Sequence, residues 1–268
     1  MKAFVADAEW APRKGYLLTE SEKKTKRVVT GSQVWRNPTF AVKDIPTPEP
    51  ADDEVLVKVK SCGICGSDTH LYETDPEGYI IFSGLTKLPC VLGHEFSGVV
   101  EKAGKRVRNL KVGDAVAMES VMWCGTCTAC RSGTPNQCNN VELLGLSALG
   151  LPGVPHDGVP AGRYDVVVEC TGHPEGLELA RRALRAAGTL VLKSTYHGQV
   201  AVDFSSLVVD EITLLGSRCG PFPPAIDALA RGAVRVEPLI EATYALSHAM
   251  QAFEHAFRPG ALKVLITP

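Results

Sequence analysis

The sequence predicts a two-part fold of the α/β plus β class: a β-rich domain followed by a parallel α/β unit. Three observations predict it. Short strand-like runs punctuated by glycine occupy the first half of the chain. A cysteine-rich loop closes that half at 124–138. Beyond residue 164, continuous apolar runs alternate with amphipathic stretches, the grammar of a parallel sheet with crossover helices. A chain of 268 residues has room for one large or two ordinary domains.

Composition narrows the function classes. The 28 basic and 30 acidic residues leave a net charge of −2, which argues against a nucleic-acid or membrane-surface partner. A hydrophobic fraction of 45% against 22% charged residues is that of a folded chain. No window approaches the roughly 18 uninterrupted apolar residues of a transmembrane helix. Asp7, Glu9 and Glu20 interrupt the N-terminal segment, which has no apolar stretch of the secretory kind, so a cytoplasmic location is expected. Nine cysteines in that compartment point to metal or catalytic use rather than disulfides.

Taken in order, residues 1–60 read as extended chain. Residues 54–60 alternate, with Val55, Val57 and Val59 on one face, after a turn-rich stretch at 47–53. Further strands are expected at 96–100 and 115–118, separated by Gly104 and Gly113. Closely spaced Gly and Pro make 148–163 the linker between the two parts. The run 165–170 (DVVVEC) has the pattern of a strand buried on both faces, and buried strands are likewise expected at 189–192 and 212–215. Helices are expected at 177–184, 224–231 and 245–257, the last with Leu246, Met250, Phe253 and Phe257 at helical spacing. Residues 262–266 close as a strand.

Cys124, Cys127, Cys130 and Cys138 form C-x2-C-x2-C-x7-C, with Gly125, Gly133 and Pro135 supplying turns. Two-residue gaps bring sulfurs from one tight turn to the same ion, and four thiolates suit a tetrahedral zinc. An iron–sulfur cluster is the competing reading. Its sequence run closes with an x3 gap and a proline, whereas here the gap is x7 and Asn139 follows. Four thiolates leave no open position, so this zinc is expected to be structural.

A second set lies upstream in SCGICGSDTH (61–70) and GHEFSG (93–98). A thiolate, an imidazole and a carboxylate are three good zinc ligands, and a catalytic zinc keeps its fourth position open. Each fragment alone is weak, since a C-x2-C can be two packed thiols and a His beside a Glu can be surface. In this order, with the four-cysteine loop after them, they become specific.

Residues 93–116 (GHEFSGVVEKAGKRVRNLKVGDAV) carry Gly93, His94, Glu95, Gly98, Gly104, Gly113 and Asp114 in the order of a family signature. The chain resembles the zinc-containing medium-chain alcohol and polyol dehydrogenases, in the sorbitol and threonine dehydrogenase branch. The stretches 32–36, 77–85 and 123–127 look most like inosose or polyol dehydrogenases. The resemblance covers 1–147 and, separately, 164–268. It implies a GroES-like β-barrel zinc domain over 1–147, completed by about 238–268, and a Rossmann-type cofactor domain over 164–237.

The resemblance further implies two zinc ions per chain. The catalytic ion would take Cys65, His94 and Glu95, with Cys62 a packing thiol, and the structural ion would take Cys124, Cys127, Cys130 and Cys138. Asp68 would fix the His94 tautomer, and Ser67 and His70 would relay the substrate proton to water. The chemistry implied is a zinc that acidifies a bound secondary alcohol of polyol, cyclitol or sugar type while its hydride leaves to NAD(P). Partners would be a small alcohol or ketone and further copies of the chain. Cys90, Cys170 and Cys219 are read as buried small hydrophobes, and His156, His173, His197, His248 and His255 as surface or core.

The sequence departs from the family in one place. The strand, G-x-G-x-x-G and helix that open a Rossmann domain are absent; 145–153 and 158–162 hold glycines at the wrong spacing. The chain therefore reads as a family member with an internal deletion that removes the first half of the Rossmann sheet and leaves strand 165–170 at an edge. The remaining nicotinamide-side residues would be Thr171, Gly172, Lys193 and Gly216, and the cofactor is expected to bind weakly. Three readings stay open: an active dehydrogenase, a zinc-binding pseudoenzyme or non-catalytic subunit that has lost the phosphate loop, and a hydrolytic zinc enzyme without nicotinamide.

Overall fold

The computed structural model describes residues 1–133, 135, 138, 142–143, 162, 164–196, 200–217, 220, 222–258 and 260–268. The chain divides into one unit of Met1–Ser147 with Phe222–Pro268, and a second of Ala148–Pro221. Return to the first unit thus begins at Phe222, earlier in the chain than the 238 read from the sequence.

The first unit is built mainly from antiparallel strands, with one parallel pair, Ile240–Ala245 beside Lys263–Thr267. Lys2–Trp10 pairs with Trp35–Asp44 on one side and Cys90–Val91 on the other. A five-stranded sheet runs in the order Ile240–Ala245, Lys263–Thr267, Val55–Gly63, Glu95–Ala103, Ala115–Ala117. The alternation at 54–60 becomes the central strand, with Val55, Val57 and Val59 half-buried and Lys58 and Lys60 exposed. The N-terminal region is not all extended, because Glu20–Thr25 is a helix. Thr19 and Glu22 cap it reciprocally, the Thr19 hydroxyl accepting from the Glu22 N–H and the Glu22 carboxylate accepting from the Thr19 N–H. That T-x-x-E signal is present in the sequence and was missed in the reading of 1–60 as extended.

Two apolar clusters hold this unit. One gathers Val28, Val34, Trp35, Leu71 and Ile80; the other gathers Phe4, Ile64, Ala252, Phe253 and Val264. The second cluster explains the apolar spacing at 245–257. A 3-10 turn at Leu246–His248 leads into the helix Ala249–Ala256, whose Phe253 packs edge-on against Phe4 at 5.1 Å between ring centroids. The final strand then lies against the central one, with Leu265 opposite Gly63 and Ile266 opposite Cys62.

The second unit is a three-stranded parallel sheet in the order Tyr164–Glu169, Leu184–Leu192, Thr213–Gly216. Helix Pro174–Ala183 starts on a proline in its first turn, which has no N–H to leave unsatisfied. Phe204–Val209 is capped by Asp203, whose carboxylate accepts from the Ser205 and Ser206 N–H groups. Ala180, Leu184 and Leu190 form the core, with Val167 and Leu177 against them.

The reading of strands buried on both faces is corrected here. Val166 and Val168 are 56% and 53% exposed, and Leu214 and Leu215 are 46% and 52% exposed. Helix Pro174–Ala183 packs on the face that carries Val167 and Leu190, and the opposite face is uncovered among the described residues. A continuous apolar run shows that both faces are apolar, not that both are covered. Cys170 is also exposed rather than buried, because it lies just past the last ladder pair, Glu169 with Leu192. Cys90 is half-buried, and burial pushes its thiol up to about 12. Cys219, His156, His197, the glycines of 145–153 and most of the linker 148–163 lie outside the described residues.

Candidate metal centres

Cys65 is placed by the two cores on either side of it. Ile64 is anchored in one cluster and Leu71 in the other, and the helix Gly66–Tyr72 starts between them. The Asp68 carboxylate accepts from the Cys65 N–H at 2.9 Å, closing the first turn. His94 immediately precedes the strand Glu95–Ala103, which Glu95 opens and which pairs with Val55–Gly63 so that Glu95 stands opposite Gly63. Gly93, at φ 105°, makes the bend before His94; a Cβ there would lie 2.6 Å from Cys62 Sγ.

This brings donor atoms of Cys65, His94 and Glu95 within 4.8 Å of one another. His94 Nδ1 lies 3.4 Å from Asp68 Oδ1, and His94 Nε2 lies 3.2 Å from Ser67 Oγ. Ser67, Asp68 and His94 are all buried. Burial alone would discourage an imidazolium, yet the hydrogen-bonding Asp68 and Cys65 outweigh it and push His94 up to about 11. Sulfur, nitrogen and oxygen donors converging in this way have the chemistry of a zinc site. Cys62 does not join the group: burial pushes its thiol up to about 11, and its Sγ faces the Gly63 carbonyl at 3.7 Å. His70 lies toward the end of the same helix as Ser67, where its Nδ1 pairs with Glu73 Oε2 at 3.1 Å.

The four-cysteine loop also converges. Cys127 Sγ is 3.5 Å from Cys130 Sγ and 3.9 Å from Cys138 Sγ, and Cys138 is 3.5 Å from Cys124. Four sulfurs at about 2.3 Å from a tetrahedral zinc would stand about 3.8 Å apart. The N–H groups of Thr126 and Cys127 donate to Cys124 Sγ at 3.5 and 3.4 Å, as does the Thr126 hydroxyl at 3.4 Å. These donors, the Thr126 hydroxyl foremost, pull the Cys124 thiol down to about 5 and so favour the thiolate that zinc needs. The residues fit the metal.

In the second unit, Thr171, Gly172, Lys193 and Gly216 all stand at or just past the carboxyl ends of the three parallel strands. That edge is where open α/β sheets take ligands. The Lys193 Nζ is buried there and has no hydrogen-bond partner among the described residues, which suits an anionic group. Sequence reasoning missed Glu169 and Tyr196. Glu169 is buried and accepts from the Thr171 N–H and hydroxyl at 2.5 and 2.6 Å, from the Gly172 N–H at 3.1 Å, and from the Tyr196 hydroxyl. Burial opposes its ionisation, but these donors hold the carboxyl below its usual range. An acid ending an apolar run before Thr-Gly was the only signal available.

A GroES-like β unit with a thiolate–imidazole–carboxylate cluster and a four-thiolate loop, joined in sequence to a Rossmann-like parallel sheet, defines the fold of a zinc-type medium-chain dehydrogenase. Residues 51–170 match the family model described as the alcohol dehydrogenase GroES-like domain. Over those residues the chain carries that domain, and it is similar to alcohol and polyol dehydrogenases. It is 43% identical over 157 residues to scyllo-inosose 3-dehydrogenase of Thermotoga maritima, a match covering 56% of this chain and 40% of that protein. Among solved structures, a candidate alcohol dehydrogenase of Thermotoga maritima superimposes with a TM-score of 0.83 at 23% identity over 100% of both chains. A short chain alcohol dehydrogenase of Escherichia coli CFT073, complexed with NADH, gives 0.69 at 22% identity over 100% of this chain and 99% of its own. The segment matched to the scyllo-inosose enzyme spans less than half of that enzyme's length.

Proposed function

We propose that the chain is a zinc-dependent oxidoreductase that moves a hydride between a secondary alcohol of polyol, cyclitol or sugar type and NAD(P). The convergence of Cys65, His94 and Glu95 within 4.8 Å carries this reading, and the scyllo-inosose relative supports the substrate class. Zinc held by these three side chains would supply Lewis acidity toward the substrate oxygen. Asp68, at His94 Nδ1, sets the tautomer that leaves Nε2 for the metal. Ser67, buried beside that nitrogen, takes the substrate hydroxyl proton, and the half-exposed His70 passes it to water. The four-cysteine site, with no open position, stabilises its loop and takes no part in chemistry.

On the cofactor side, Thr171, Gly172, Lys193 and Gly216 hold the nicotinamide half, and the buried Lys193 ammonium favours the anionic dinucleotide. The missing phosphate fingerprint removes two or three charge-assisted hydrogen bonds. At roughly 1.5–3 kcal/mol each, that is on the order of 4–6 kcal/mol, or about a thousandfold in affinity. The same absence favours a second reading, a zinc-binding pseudoenzyme. A fluorescence titration of zinc-loaded protein with NADH separates the two. Saturable millimolar binding is expected for the enzyme, and no saturation would point to the pseudoenzyme. Micromolar binding would refute the loss of the phosphate site.

A further inference from the structure

Lys263 opens the last strand of the chain, yet its ammonium reaches into the first metal centre. Its Nζ donates to Glu95 Oε2 at 2.7 Å and to the Ile64 carbonyl at 3.0 Å. The strand is held in place by pairing with the one that leads to Cys65, Leu265 facing Gly63 and Ile266 facing Cys62, and by the Ile64 N–H donating to the Val264 carbonyl. Gly63 makes the room. A Cβ at that position would lie 2.7 Å from Glu95 Oε2 and 3.3 Å from Lys263 Cδ. Three separate stretches of chain thus meet at one carboxylate oxygen, and the backbone opposite it is bare.

We propose that Lys263 is a positioning residue for the metal: it holds Glu95 by one oxygen and presents the other to the site shared with Cys65 and His94. The inference rests on the reading that these three side chains bind zinc. An unrestrained glutamate at a strand start has several rotamers open to it, and selecting one on metal binding costs conformational entropy. The ammonium makes that selection in advance. Lys263 and Glu95 side chains are 30% and 35% exposed, so the pair is partly screened and contributes little to folding. Its effect is therefore expected at the metal rather than in global stability. The bond to the Ile64 carbonyl keeps the ammonium beside the Glu95 carboxylate.

The test is zinc affinity, measured by chelator competition on the full chain. Lys263→Met should weaken binding at the Cys65 site by about 10–100-fold, the usual cost of losing a group that orients a ligand. The four-cysteine zinc should be retained and the unfolding temperature little changed. Lys263→Arg, which keeps the charge, should recover most of the loss. In a Glu95→Ala background, Lys263→Met should cause no further weakening, because its route to the metal is gone. With cobalt(II) in place of zinc, Lys263→Met should shift the visible absorption of the Cys65 site. Unchanged affinity in Lys263→Met, or the same fold loss with and without Glu95, would overturn the proposal. If wild-type protein binds a single zinc and Cys65→Ser loses none, the underlying metal reading falls and this proposal with it; two zinc ions with an inert Lys263 would sink the positioning role alone.

Discussion

Replacing Asp68 tests how the protein prepares His94 for a metal. The carboxylate is 1% exposed and does two jobs: one oxygen accepts from the Cys65 N–H at 2.9 Å, and the other stands 3.4 Å from His94 Nδ1. Asp68→Asn keeps the shape and one acceptor oxygen but removes the charge. A hydrogen bond involving a charged group is worth about 1.5–3 kcal/mol against about 1 for a neutral one, so the substitution should cost roughly 1–2 kcal/mol at the imidazole. That corresponds to about a tenfold loss of zinc affinity at the Cys65 site. Asp68→Ala removes both acceptors. It should add about 1 kcal/mol for the lost helix cap and bring the loss toward a hundredfold. Chelator competition reads the affinity, and thermal unfolding of metal-depleted protein reads the cap separately. Zinc affinity unchanged in Asp68→Ala would refute the claim that this carboxylate orients the ligand.

Two further substitutions probe the rest of the molecule. Cys127 Sγ touches two of the other three sulfurs, so Cys127→Ser should lower zinc content from about two to about one per chain and destabilise the first unit by several kcal/mol; metal analysis with calorimetry checks both. The depressed Glu169 carboxyl contributes stability that is present above its unfolded value of about 4.3 and is lost as pH falls through the lower folded value. Glu169→Gln should therefore flatten the acid limb of the second unit's unfolding curve, and an unaltered limb would count against a structural role for its bonds to Thr171, Gly172 and Tyr196.

The two metal centres were legible to different depths. The four-cysteine loop is local: turns at Gly125 and Gly133 and two-residue gaps leave the sulfurs few places to go, and the structure puts all four within 4.8 Å of one another. The Cys65 site joins two stretches separated by the helix Gly66–Tyr72 and the short strands Thr86–Lys87 and Cys90–Val91. Its donors were named from residue types and resemblance, but their meeting depends on the pairing of Val55–Gly63 with Glu95–Ala103. Helix Glu20–Thr25 shows the opposite failure, a local capping signal overlooked inside a region read as extended.

Residue type and spacing alone determined which side chains could act as ligands, where the grammar changes from antiparallel to parallel, and that no phosphate fingerprint is present, because each of these is written within a few adjacent residues. Only the tertiary structure decided which faces of the strands at 164–169 and 213–216 are covered, since apolar character does not report what packs upon it. It alone brought Lys263 to Glu95, 168 residues away in sequence, and showed why Gly63 is bare opposite them. A contact of that separation depends on the chain returning to the first unit along Lys263–Thr267, and nothing local to either residue encodes it.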